Sequence, residues 1–596
     1  MTGSRVARAR ALVRNVALTV STGAGHLVED PLLFAVQLGR RMPAGVRSRA
    51  ARTFGGGRGL TAATALWWAD RPAEATLLLE GLARPRSRAG RRWAAEAALV
   101  LSRADLAEGF MPEAPAVVRG RAAWSRGDLS GAVDAVSAPG AGRAGARLAR
   151  RYAGELAVLD PAWEPDRPTV RAATPGGGPL RVFHVLTNSV PHTSSGYTSR
   201  THSVLSALVA SGVEVEAATR LAYPVSVGRW RAQDVDVVDG VRYGRVLPAR
   251  LPRTAPERLS TQVRMLAPRV AAFAPRVLHT TTDHTNGLVT RSLAGALGLP
   301  WVYEVRGLLE ESWVARQPAA AQAAAEASER RAAWRARESE LARSADHVVT
   351  LGVTLAEELR ARGVAAERIT VVPNGVDPAL LAEGPRAQDA REALGLDRGG
   401  FWVGTVSSLV DYEGLDTMLE AVAVLRARGV DARALVVGDG TSRAGWERRA
   451  HDLGLGGACV FTGRVARGRA AAMHRALDVF AVPRRDVRVC RMVTPLKPVE
   501  AMAVGRPVVA SDLPALAEIV VPSEGGVGAA ARPRAATGVL APAGDADAWA
   551  DAFGALAADG DLRDSLGAAG RELAATRTWA GAAGTLRGVY ERLGAA

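Results

Sequence analysis

The stretch 490–512 reads CRMVTPLKPVEAMAVGRPVVASD and holds Lys497, the only lysine among the 76 basic side chains of the sequence. An ammonium is a compact point charge on a flexible stem. It suits a phosphate oxygen, where a planar guanidinium has a different reach and geometry. The bland alternative is a surface cation that an arginine would replace. Arg484, Arg485 and Arg491 come just before Lys497 and gather positive charge where a strand predicted over 479–482 ends. The turn Thr494-Pro495-Leu496-Lys497 then opens a helix predicted over 498–504. Pro498 suits its first turn, where a missing N–H costs nothing, and the N–H groups of that turn favour an anion. Glu500, three residues after Lys497, lies on the same helical face. Alone, it also fits a carboxylate stabilised by the helix dipole.

Other segments carry candidate groups. SSGYTSRTH (194–202) is a loop opening a helix predicted over 199–211, and Gly196 permits close backbone approach to a phosphate or sugar. HTTTDHTNG (279–287) ends a strand and offers His279 and, second, His284; a satisfied core histidine is the alternative. EVRG (304–307) is followed by Glu310 and Trp313. Arg306 could hold a phosphate or carboxylate in bidentate fashion, and a buried Glu304–Arg306 structural pair fits equally. Gly438-Asp439-Gly440 and Gly463-Arg464 follow two further strands. Asp234-Val235-Asp236 has the spelling of a metal-binding loop but sits in a surface-like polar stretch.

The elements that must position these groups form two series. Residues 181–186, 213–219, 276–280, 301–305 and 347–351 are short apolar runs alternating with helical patterns. A second series follows at 401–406, 434–438, 459–463, 479–482 and 508–511. Strand–loop–helix–strand units build parallel sheets with ligands at the C-terminal strand ends. Residues 1–164 read as helical. Asp70 and Ala104, at similar turns, are 34 residues apart, the tetratricopeptide period, but Gly127 follows Ala104 by only 23. An ordinary Ala-rich bundle fits equally well. Residues 165–179 read as a linker.

VTPLKPVEAMAVGRPVVASD resembles the donor-binding segment of family 4 retaining glycosyltransferases, which have the GT-B fold. More narrowly, it resembles a bacterial TPLKP-x-EAMA branch that makes exopolysaccharide, capsule and other surface glycans. The resemblance covers roughly 180–596. It implies a doubly wound acceptor domain over 180–395, a doubly wound nucleotide-sugar domain over 396–575, and a cleft between them for donor and acceptor. A last helix over 576–596 would cross back to the acceptor domain. It further implies that Lys497 and Arg485 stabilise the departing diphosphate and that Arg484, Arg491, Thr494 and Leu496 line the donor. Glu500 would accept from the ribose hydroxyls, Gly438 and Gly463 would frame base and sugar, and His279 would stand at the sugar. Glu304 and Arg306 would lie on the acceptor side. The diphosphate oxygen would take the acceptor proton in a front-face reaction needing no metal and no cofactor. Two departures stand out. The wider family has a glutamate where this chain has Met492, and an Arg and a Lys in the loop that here reads SSLVDYEG (407–414).

Composition narrows the rest. A chain of 596 residues with 48% hydrophobic content is a multidomain globular protein. Cys459 and Cys490 match no metal or redox spacing. No run of about 18 apolar residues predicts a membrane span, and Arg14 interrupts the apolar N-terminal run, which argues against a signal peptide. The net charge of +16 comes from dispersed arginines without aromatic interleaving, which argues against nucleic acid. Reversible attraction to an anionic membrane surface, and a protein partner for the helical region, fit better. The expectation is a cytoplasmic retaining glycosyltransferase, peripheral at the inner membrane face, moving a sugar from a nucleotide-sugar to a saccharide or lipid-linked saccharide hydroxyl. The rivals are a GT-B nucleotide-sugar epimerase and a non-catalytic scaffold with a vestigial cleft.

Overall fold

The computed structural model describes residues 2–29, 39, 42, 44–57, 59–69, 71–83, 85–101, 103–110, 114–170, 178–520, 523–524, 532–533 and 536–595. Asp70 and residues 171–177 of the predicted linker lie outside the described residues. The chain forms two compact units. One comprises 1–194, 214–303 and 309–346; the other comprises 195–213, 304–308 and 347–596.

In the first unit, helices Leu60–Trp68 and Pro72–Glu80, then Arg88–Val100 and Ala104–Phe110, then Ala116–Arg126 and Leu129–Ser137, pack as successive pairs. The first members start evenly, at Leu60, Arg88 and Ala116, on a shorter interval than the tetratricopeptide period. The last pair turns at Gly127, left-handed at φ 88°, and Asp128 caps the next helix by accepting from Gly131 N at 2.9 Å. Leu66, Leu79, Ala94, Ala98 and Phe110 form one core; Val136, Leu148 and Tyr152 form the next, with Trp124 stacked on Tyr152 at 4.1 Å.

This helical region shares its unit with α/β structure. Glu329, on helix Glu329–Ser344, accepts from Leu129 N and Ser130 N at 2.8 and 2.7 Å. Arg330 lies over the rings of Trp124, Trp313 and Trp334. Such a stack holds a guanidinium by its face while its rim stays free to donate.

The first sheet has eight strands: β1 Arg181–Leu186, β2 Glu214–Thr219, β3 Val235–Val238, β4 Val241–Gly244, β5 Val277–Thr281, β6 Trp301–Val305, β7 His347–Thr350 and β8 Ile369–Val371, in the order β3-β4-β2-β1-β5-β6-β7-β8. β1 pairs in parallel with β2 and β5, and β7 with β8. β1 and β5 are buried almost throughout, as strands covered on both faces must be. β3 is the antiparallel exception, joined to β4 through Asp239-Gly240. That hairpin contains the Asp-x-Asp spelling. Asp236 there accepts from Arg245 at 2.7 Å and lies 3.0 Å from His192 Nε2.

The second unit carries an all-parallel sheet of β9 Phe401–Val406, β10 Ala432–Val437, β11 Cys459–Gly463, β12 Val479–Val482, β13 Val508–Ser511 and β14 Gly538–Ala541. Its order is β11-β10-β9-β12-β13-β14. Val403, Val422, Val436, Trp549 and Phe553 form its core with the covering helices. Among the described residues, no helix is long and apolar enough to cross a membrane.

Candidate functional site

The order of the second sheet reverses between β9 and β12, the topological switch point at which open α/β sheets bind ligands beyond the strand ends. Two loops leave from there, 407–414 and 483–496. They are tied together by arginine. Arg484 Nη2 donates to Glu413 Oε1 at 2.9 Å and its Nη1 to the Val493 carbonyl at 3.1 Å. Arg485 donates from Nε to the Asp411 carbonyl at 3.1 Å and from Nη2 to Asp416 Oδ2 at 2.9 Å. Gly414 closes the junction with φ 65°, and a Cβ there would run into the Pro483 carbonyl.

These pairs correct one expectation. The three arginines before Lys497 do not pool an uncompensated positive charge. Glu413 faces Arg484, Asp411 and Asp416 face Arg485, and Asp486 takes Arg491 at 2.7 Å. Burial acts to lower the Arg484 pKa, but the Glu413 carboxylate outweighs it and the guanidinium is held above its ordinary value. Arg485 is raised too, burial again opposing Asp416 and Asp411.

Lys497 opens the helix Lys497–Ala503 with Leu496 at its N-cap and Pro498 buried in its first turn. The Lys497 side chain is 34% exposed, and its Nζ lies 2.7 Å from Glu500 Oε2. His474, at the end of helix Arg467–Arg475, lies behind the pair with Nε2 3.6 Å from the same oxygen. Its side chain is 1% exposed, against 20% for Glu500. Burial pushes the Glu500 pKa up, but His474 and Lys497 pull harder in the other direction and set it at about 2. Burial dominates at His474 and lowers its pKa in spite of Glu500. At neutral pH the group is thus a carboxylate between an ammonium and a neutral imidazole.

A second cluster in the same unit reaches the donor-side loop. Helix Gly196–Ala210 starts earlier than the sequence reading, because Ser195 and Thr198 form a capping box. Gly196 is exposed, with open space where a Cβ would stand. Arg200 on this helix donates from Nε and Nη2 to Glu304 Oε1 at 3.0 and 2.9 Å, and both side chains are 2% exposed. It also donates to the Val372 and Pro373 carbonyls and to Asn374 Oδ1. Asn374 Nδ2 in turn donates to the Thr494 carbonyl at 3.3 Å. Arg306 is buried, donating to Glu304 Oε2, Thr201 Oγ1 and the Tyr197 carbonyl. The last helix, Trp579–Ala595, packs on Gly196–Ala210, with Arg200 over the Trp579 ring at 5.8 Å.

Two segments of the chain match known domain models. Residues 195–375 match the Glycosyl transferase 4-like domain and 387–573 match Glycosyl transferases group 1. These α/β segments are glycosyltransferase-family domains. A D-inositol 3-phosphate glycosyltransferase of Stackebrandtia nassauensis is 30% identical over 233 residues, 38% of this chain and 48% of that protein. A GDP-mannose-dependent alpha-(1-6)-phosphatidylinositol monomannoside mannosyltransferase of Mycobacterium tuberculosis is 32% identical over 210 residues, 35% of this chain and 51% of that protein. The chain thus spans about half the length of the curated relatives it matches. Among solved structures, the sucrose-phosphate synthase of Thermosynechococcus elongatus superposes with a TM-score of 0.57 at 24% identity, over 70% of this chain and 99% of that one. The architecture is GT-B, preceded by an all-helical region.

Within these glycosyltransferase domains, Gly438 and Gly463 follow β10 and β11, and Gly438 N donates to the Gly463 carbonyl at 3.1 Å. Gly438 has φ 144°, and a Cβ would strike the Ser407 carbonyl, so the loops after β9 and β10 touch backbone to backbone. His279 lies inside β5, 1% exposed, its ring 4.6 Å from that of His184 on β1. Those are the surroundings of a core histidine. His284, at the start of helix His284–Leu297, has its backbone N held by Glu338 Oε1 at 2.7 Å. Among the described residues, no group of three or more His, Cys, Asp and Glu side chains is placed to hold a metal ion. The sequence reading missed Arg200, Asn374, Glu413 and His474. For Arg200 no local signal existed, since the groups that bury it, Glu304 and the 372–374 segment, are 104 to 174 residues away.

Proposed function

We propose that this chain transfers a sugar from a nucleoside-diphosphate sugar to a hydroxyl acceptor with retention of anomeric configuration. The observation that carries the reading is the Lys497–Glu500 pair at the switch point of the second sheet. Lys497 is the cation there whose partner it can leave by a side-chain rotation, since Arg484 and Arg485 are fixed between loops and Arg491 lies on the rim against Asp486. In the donor complex its ammonium moves to the diphosphate, where charge develops as the glycosidic bond breaks. Glu500 accepts from the ribose hydroxyls. Arg484 and Arg485 act by holding the loops, and Arg491 stays on the rim with Asp486. Thr494 and Leu496 shape the turn beneath the diphosphate, and Gly438 and Gly463 let the backbone approach base and sugar. Glu304 and Arg306 position the segment that opens at Gly196 and so shape the acceptor side. His279 supports the first sheet.

The TPLKP-x-EAMA spelling favours a surface-glycan product, and no metal is required in this reading. The mannosyltransferase named above is GDP-mannose-dependent, which supports a nucleotide-sugar donor. For the membrane partner, helix Thr2–Glu29 exposes Leu12, Val13, Val16 and Val20 beside Arg10, while Arg14 is paired with Asp234 at 2.6 Å; Trp230 is exposed on the loop to which Asn15 is bonded. An apolar stripe with a flanking cation fits an anionic lipid surface. Flotation with phosphatidylglycerol vesicles is expected to carry the protein, and Val13→Glu with Val20→Glu to abolish it.

Turnover tests the central reading. Purified protein given UDP-, GDP-, ADP- and dTDP-sugars should release the nucleoside diphosphate from one base class, slowly and without loss in EDTA. With an acceptor, proton NMR should show the donor's anomeric configuration in the product. Return of an epimerised nucleotide-sugar would select the epimerase instead, and no turnover of any donor would leave the scaffold.

A further inference from the structure

The donor-site reading leaves one buried group without a task. His474 has both ring nitrogens buried with no hydrogen-bond partner within range, yet Nε2 lies only 3.6 Å from Glu500 Oε2. A buried polar ring in that state is uncommon, because desolvation without a partner costs free energy. Its other neighbour is the Phe480 ring at 5.3 Å, an apolar contact that a phenyl group would make as well. Glu500 already has a cation at 2.7 Å in Lys497. The imidazole is therefore a second partner waiting behind the first.

We propose that His474 is the positioning residue of the donor site, holding the Glu500 carboxylate in place when Lys497 leaves it for the donor diphosphate, and taking up one proton as it does so. This rests on the assignment of Lys497 and Glu500 to the donor. While Lys497 sits on Glu500, its charge disfavours a second positive charge on the ring. Once the ammonium moves away, Glu500 is a partly buried carboxylate with no cation, and protonated His474 replaces the lost charge at short range. The proton comes from water through the partly exposed carboxylate and bonds to the ring nitrogen facing it. A neutral ring is left if the donor departs.

The groups around His474 are few. Helix Lys497–Ala503 contributes Lys497 and Glu500. Helix Ala387–Leu394 contributes Arg391, whose guanidinium is held by Asp478 and the Ala476 carbonyl. β9, also packed on the His474 helix, carries no charged side chain. Burial lowers the His474 pKa in the free protein, ahead of the opposing pull of Glu500. Donor binding removes the Lys497 repulsion and raises it. A group whose pKa rises on binding makes binding tighter as pH falls, and the gain is lost as pH rises through the bound-state value.

Isothermal titration of the whole chain with UDP-, GDP-, ADP- and dTDP-glucose between pH 6 and 8.5 tests this, in buffers of different ionisation enthalpy. These diphosphodiesters have no group of their own that titrates in the range. Wild type should bind one base class more tightly at low pH and take up a fraction of a proton. His474→Gln keeps an N–H for Glu500 but cannot titrate, so its binding should be flat with pH and without uptake. His474→Phe keeps the Phe480 contact without a donor, and its affinity should fall about tenfold. Uptake that persists in His474→Gln, or wild-type binding with no uptake, overturns the proposal and leaves the donor site standing. If no nucleotide-sugar binds wild type, the donor site falls and His474 with it. Should His474→Phe fail to fold, His474→Gln decides alone.

Discussion

Lys497→Ala is expected to lower the rate of donor turnover by on the order of 10²–10³-fold, the usual loss when one preorganised group facing developing charge is removed. The magnitude follows from how the neighbouring charge is arranged. Arg484 and Arg485 cannot replace the ammonium without breaking the tie between the loops 407–414 and 483–496, and Arg491 is paired on the exposed rim with Asp486. The carboxylate left behind, Glu500, loses one of the two partners that hold its pKa below the ordinary value and keeps His474. Without Lys497 it faces the diphosphate as like charge against like charge. Lys497→Arg should recover only part of the loss, since a planar guanidinium pairing with Glu500 fills the space differently. Initial rates of nucleoside diphosphate release measure the effect. A loss below about fivefold in Lys497→Ala would mean that the leaving group is stabilised elsewhere.

The second large effect concerns stability. Glu304→Gln is expected to destabilise the second unit by about 3–5 kcal/mol, because it leaves two buried guanidiniums, Arg200 and Arg306, without their counter-charge. Arg398→Ala, at an exposed pair with Glu392 and Asp389, should cost less than about 1 kcal/mol. Urea unfolding followed by tryptophan fluorescence compares the two. The consequence should reach the donor loop, since Glu304 holds Arg200, Arg200 holds Asn374, and Asn374 holds the Thr494 carbonyl. Equal midpoints for the two variants would show that the Glu304 pair lacks the cost of a buried charge.

The sequence made some of this legible and hid the rest for physical reasons. The parallel strands were visible because strands buried on both faces are short, continuous apolar runs, as PheTrpValGlyThrVal at β9 is. Lys497 and Glu500 were visible as a pair because helical spacing alone brings residues three apart together. The β3–β4 hairpin was not, since its half-exposed alternation of Val and Asp looks like surface. The partners of Arg484 and Arg485 were also hidden. Glu413 is 71 residues from Arg484, and Asp416 is 69 from Arg485, so only the parallel pairing of β9 with β12 makes them neighbours. A basic cluster in one dimension became a set of neutral pairs in three. His474 escaped for the same reason: nothing local marks a histidine whose one polar neighbour lies on another helix.

The role of Lys497 is tested most directly by the structure of the protein with its tightest-binding nucleotide-sugar. Diphosphate density is expected within hydrogen-bond distance of Lys497 Nζ, ribose hydroxyls on the Glu500 carboxylate, and the Lys497–Glu500 pair opened. Density at any other place, with Lys497 still on Glu500, would contradict it.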